Sequence, residues 1–162
     1  VENKSVDLAV RKDFEAAIKL LQAGEYKKAI DLLEKVKKGS QKNSAPYINI
    51  AMAYEKTGDL DRAEENLKQA LAINPDHPVA NNEYALLYRK TGRYAEARQL
   101  YEKLLERYPE FMPAKKNFGI LCELYLDDAP CALAQYEEYS QANPDDEAVK
   151  LWIATLKQRV GD

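Results

Sequence analysis

Little in this chain is suited to chemistry. It holds one histidine, two cysteines and one tryptophan among 162 residues. It has no His-Glu-x-x-His, no paired-cysteine metal motif and no glycine-rich phosphate loop. The single His77 sits in a Pro-Asp-His-Pro segment with no companion ligands nearby in sequence, and reads as a surface loop residue. No apolar run approaches the roughly 18 residues of a membrane span. Charged residues make up 31% of the chain, yet the net charge is only -3 and no block of one sign occurs. That balance disfavours nucleic acid and anionic membranes as partners. Neighbouring acids such as Glu64-Glu65 and Glu137-Glu138 read as solvated helix faces. No cofactor, metal or small-molecule substrate is expected, and an enzyme is the least favoured class.

What the chain does have is a register. Gly24, Gly58 and Gly92 follow one another at intervals of 34, each opening a similar turn: Gly-Glu-Tyr, Gly-Asp-Leu and Gly-Arg-Tyr. The best-formed unit runs from Ser44 to His77. In it Tyr47, Ile50, Ala51 and Tyr54 recur at helical spacing before the turn, and Ala63, Leu67, Ala70 and Leu71 do so after it. Glycine can take the left-handed conformation that ends a helix, and the small Ala51 and Ala63 allow close backbone approach. Two helices therefore fold back on each other. One such hairpin cannot bury both of its apolar faces, and stacked neighbours can.

These residues resemble the tetratricopeptide repeat, a unit of 34 residues. Counting Ser44 as position 1, the unit supplies Tyr47, Ile50, Ala51, Tyr54, Gly58, Ala63, Leu67, Ala70 and Pro75 where the repeat wants large, small, turn and proline residues. The resemblance implies an all-α, right-handed α-solenoid of four helical hairpins plus a C-terminal capping helix, about nine helices in one domain over 1–162. The repeats fall at about 10–43, 44–77, 78–111 and 112–145, with the capping helix at 146–160. An opening helix is expected at about 5–23. Residues 1–8 form either a frayed extension or its first turn, and Lys37 to Asn43 a solvated loop. The third repeat carries Asn81 where a large residue is usual. In the fourth, Leu126-Asp127-Asp128-Ala129-Pro130 replaces the glycine turn with one extra residue. Apolar Val149, Trp152, Ile153 and Leu156 should hold the last helix in place, with Lys150, Lys157 and Gln158 facing water.

Folding the fourth hairpin should bring Cys122 and Cys131 near each other. A disulfide there would add on the order of 3 kcal/mol and imply an oxidising compartment. Two buried thiols acting as small apolar residues are the other reading.

In proteins of this resemblance, positions 2, 5, 6, 9, 12 and 13 of the first helix of each hairpin line a concave groove. Position 9 is Ile18, Met52, Leu86 and Ile120, an apolar stripe. Position 5 is Phe14, Ile48, Asn82 and Lys116, and position 12 is Leu21, Glu55, Arg89 and Glu123. These twelve residues are the expected partner-binding groove, with Arg11, Lys56, Arg89, Lys90 and Lys116 as rim cations. Four buried stripe side chains contribute roughly 6 to 12 kcal/mol, against an association cost of about 4 to 15 kcal/mol. The alternatives are that the stripe is ordinary core or is covered by residues 1–8. Only Lys116 matches the lysine and asparagine set that grips acidic chaperone tails, so that role is disfavoured.

The expected function is a non-catalytic interaction module binding a peptide or helix of a partner protein. The rebuilt turn and the Trp-Ile-Ala-x-Leu-Lys helix look similar to bacterial tetratricopeptide proteins, some of them envelope lipoproteins that assist assembly. That resemblance favours a periplasmic or envelope-attached location over the cytoplasm. The chain opens on Val1 without an initiator methionine, and a removed segment bearing a lipid anchor is the expected route to a membrane. A structural homo-oligomer is the alternative.

Overall fold

The computed structural model describes residues 2–161. Among them are nine helices and no strand: α1 Glu2–Gln22, α2 Tyr26–Gly39, α3 Ala45–Thr57, α4 Leu60–Ile73, α5 Pro78–Lys90, α6 Tyr94–Arg107, α7 Met112–Leu124, α8 Ala129–Ala142 and α9 Glu147–Val160. They divide into two compact units, Val1–Glu83 and Tyr84–Asp162.

In the first unit the turn after α3 shows how the sequence makes a hairpin. Gly58 adopts φ 86°, a left-handed conformation that side chains resist. Asp59 N–H then donates to Tyr54 O at 2.9 Å. The Asp59 side chain accepts from Arg62 N–H at 3.2 Å and starts α4. Ala17, Leu33 and Ile50 form one buried cluster, packed by Phe14, Leu21, Leu32 and Tyr54. Ile48, Ala70 and Ala80 form another.

Three expectations in this unit are corrected. The first helix begins at Glu2 rather than near Ser5, so of the two readings for the start of the chain the helical one describes the backbone of residues 2–8. Lys37, Lys38 and Gly39 belong to α2 and not to a loop. Gly39 fits because a Cβ there would lie 2.8 Å from Val10 Cγ2, and Lys37 is anchored by Glu34 at 2.9 Å and by the Tyr47 ring at 5.0 Å. His77 is half-buried rather than a bare surface residue: its Nδ1 accepts from Ala80 N–H at 3.4 Å, at the head of α5. Asn81 donates to Pro75 O and His77 O, both at 3.0 Å, so the small residue in the large position ties down the loop.

The second unit is built on one continuous core that includes Tyr101, Phe118, Leu121, Tyr136, Val149 and Leu156. Tyr101 and Phe118 stack with ring centroids 5.5 Å apart. Gly119 lets α8 close on α7: a Cβ on it would lie 2.5 Å from Tyr136 Cε1. The turn between these helices has no glycine, and Asp127 takes the positive φ instead, at 49°. Aspartate tolerates that region better than most side chains do. Asp128 caps α8 by accepting from Cys131 N–H at 3.1 Å. A disulfide joins Cys122 to Cys131, with Cα atoms 5.9 Å apart.

Candidate partner-binding surface

In the first unit the expected groove residues differ widely in access. Phe14, Ile18 and Leu21 are half-buried along α1. Ile48, Glu55 and Asn82 are buried, and Ile48 packs in the core with Ala70 and Ala80. Met52 is 37% exposed on a helix whose Ile50, Ala51 and Ala53 are fully buried. It is the expected stripe residue in this unit most open to solvent. Arg11 and Phe14 also line a cleft of about 580 Å³ with Leu8, Val10, Val36 and Asn43. Coverage of the stripe by residues 1–8 falls largely on side chains outside the described residues.

In the second unit Leu86, Arg89, Lys116, Ile120 and Glu123 are all half-buried. Two of them are held by α9 and its cap. Lys116 Nζ lies 2.7 Å from Asp146 Oδ2, 5.2 Å from the centre of the Tyr139 ring and 5.5 Å from that of Trp152. Its hydrogen bond to Asp146 raises its pKa above the ordinary lysine value. That bond and the Tyr139 hydroxyl hold the Asp146 carboxyl below the ordinary aspartate range. At the other end, Glu123 accepts from Tyr136 Oη at 2.9 Å and from Arg159 Nη2 at 3.3 Å. Burial, and then the bond to Glu123, push the Tyr136 phenol strongly upward.

Lys157 keeps its side chain 44% exposed, facing water as the sequence suggests, and pairs there with Glu137 at 3.0 Å. Glu138 likewise pairs with Lys115, whose stem is buried. Sequence reasoning missed Leu124 and Tyr125, which are 63% and 44% exposed at the end of α7. Leu124 occupies position 13 of the same 34-residue register, which was the available signal. Tyr125 packs on Tyr94 with centroids 4.9 Å apart, and the Arg89 guanidinium lies 5.9 Å from its ring. No group of three or more potential metal ligands occurs among the described residues. Nor is any helix among them long and apolar enough to cross a membrane.

The tetratricopeptide-repeat family matches residues 20–65 and 56–114, more than half of the chain. The chain belongs to the tetratricopeptide-repeat family. Repeats of this family bind protein partners. Among curated relatives, the photosystem I assembly protein Ycf3 of Rippkaea orientalis is 34% identical over 113 residues, 64% of this chain and 65% of that one. Superkiller complex protein 3 of Homo sapiens is 23% identical over 139 residues, 86% of this chain but 9% of its own length. The chain thus spans less than two thirds of either relative.

Among solved structures, PilF of Pseudomonas aeruginosa superposes with TM-score 0.86 at 22% identity, covering 96% of this chain and 70% of that one. PilW, a widely conserved type IV pilus biogenesis factor, gives TM-score 0.83 at 26% identity, covering 94% and 70%. These likenesses bear out the all-α solenoid class of helical hairpins for this tetratricopeptide chain.

Proposed function

We infer that this tetratricopeptide protein is a non-catalytic interaction module. It receives a peptide or helix of a partner protein on the inner faces of its first-of-pair helices and assists the assembly of a bacterial envelope complex. The observation that carries the reading is Met52, an apolar side chain left 37% exposed at position 9 while its helix is otherwise well buried around it. An amphipathic helix or extended segment laid on such a face buries it. The names of two relatives, an assembly protein and a pilus biogenesis factor, support the assembly role. The Cys122–Cys131 disulfide supports an oxidising, periplasmic or envelope location.

The test is capture from the native host by wild type and by the Met52→Glu/Leu86→Glu double variant. The reading expects loss of captured partner with helicity, followed by circular dichroism, unchanged; equal capture by both would discard the groove. A homo-oligomer is the second reading, favoured by Leu151, 65% exposed on α9. Light scattering that grows with concentration, and that Leu151→Glu suppresses, would select it.

A further inference from the structure

The two ends of the disulfide stand in opposite surroundings. Cys122 has no exposed surface and lies within the continuous core of the second unit, whereas Cys131 packs against that core and is only half-buried. The helices repeat the contrast. Cys122 sits in the last turn of α7, at its negative end, and Cys131 in the first turn of α8, at its positive end. Apolar burial disfavours a thiolate, and a helix N-terminus favours one. The Asp128 carboxylate at the head of α8 is balanced by Arg98 at 3.0 Å.

The pair is also held together without its sulfurs. Asp128 N–H donates to Cys122 O at 2.9 Å, and Asp128 Oδ1 accepts from Cys131 N–H at 3.1 Å. One residue therefore ties the backbones of both cysteines, and these ties remain when the bond between the sulfurs is open.

We propose that Cys131 is the exchange sulfur of this bond, the site at which an external disulfide or thiol joins the chain, and that Cys122 is the internal thiol that completes or releases it. In oxidation the Cys131 thiolate attacks the external disulfide, forming a mixed disulfide and expelling one thiolate. Cys122 then gives up its proton, attacks Cys131 Sγ and expels the second. Two protein thiols are oxidised, and one external disulfide is reduced to two thiols. Reduction reverses the sequence. An external thiolate attacks Cys131 Sγ, the electron pair of the broken bond leaves on Cys122 Sγ, which is then protonated, and a second thiolate releases Cys131.

The test uses the full chain. Cys122→Ala and Cys131→Ala, each shown to be helical by circular dichroism, are treated with glutathione disulfide, and the mixed disulfide is followed by mass spectrometry. Cys131 in Cys122→Ala is expected to react about tenfold faster or more than Cys122 in Cys131→Ala, which must wait for the hairpin to open. In urea the two rates should converge. Wild type supplies a measurement that needs no variant: its bond is opened with reduced glutathione, quenched in acid and mapped by mass spectrometry. Glutathione is expected on Cys131, with opening proportional to glutathione concentration. Glutathione on Cys122, equal rates in the two folded variants, or a rate difference that persists in urea overturns the proposal. So does opening at a rate independent of glutathione, because only unfolded chain would then exchange. An oxidised dithiol protein, run in parallel on Cys122→Ala, separates the sources of the disulfide. Faster reaction with glutathione disulfide assigns Cys131 to a small-molecule oxidant and faster reaction with the protein to a protein oxidant, while reaction with neither overturns the assignment.

Discussion

The Arg98 guanidinium on α6 reaches the carboxylate of Asp128, 3.0 Å away and 30 residues further along the chain. The same carboxylate caps α8 through Cys131 N–H. One side chain thus starts a helix and pins it to the preceding hairpin.

The Asp128 carboxyl is held below the ordinary aspartate range, first by the Cys131 N–H and then by Arg98. A depressed folded pKa contributes stability that is present above the unfolded value, about 3.9, and is lost as pH falls through the folded value. Asp128→Asn should therefore lower the thermal midpoint near neutral pH. The gap from wild type should shrink below about pH 4. Circular dichroism melts across that range provide the check, and a gap independent of pH would count against the ionic origin.

Reducing the Cys122–Cys131 bond, or replacing both cysteines with serine, should destabilise the second unit. The bond spans a sequence separation of 9, and closing so short a loop is worth about 2 to 3 kcal/mol. Urea unfolding with and without reductant measures this. Two free thiols in unfolded, unreduced protein made under oxidising conditions would contradict the bond itself.

Gly119→Ala sets two effects against each other. Helix propensity favours alanine by about 1 kcal/mol. The new methyl group, however, meets the Tyr136 ring at 2.5 Å, and that ring is buried with its hydroxyl held by Glu123. Overpacking costs about 1 to 3 kcal/mol, so a net loss is expected, read as a lower urea midpoint.

Gly58→Ala has open space around the new Cβ but a φ of +86°. Backbone strain alone should cost about 1 to 2 kcal/mol. A substitution without effect on the urea midpoint would show that the turn relaxes to a negative φ.

The hairpins were legible because their determinants are local. Gly58, Ala51, Ala63 and Tyr54 each do their work within one turn of helix or across one hairpin. The placement of α9 was partly legible, since Val149 and Leu156 mark its buried stripe. What was hidden depended on partners distant in sequence. Nothing around Lys116 announces that Asp146 and Trp152 will enclose it. Ile48 has the spacing of a groove residue, but its burial beside Ala70 and Ala80 comes from α4 and α5. Leu124 falls at the register position that Lys90 holds at the end of α5, and both side chains are exposed there.

The grip of α9 on Lys116 and Glu123 makes the last helix a tethered competitor. Covalent attachment holds such a segment at an effective concentration on the order of millimolar. A ligand that needed either side chain would have to displace a rival that never diffuses away. For the groove proposed above, the C-terminal helix is thus a standing competitor at the two positions it already occupies.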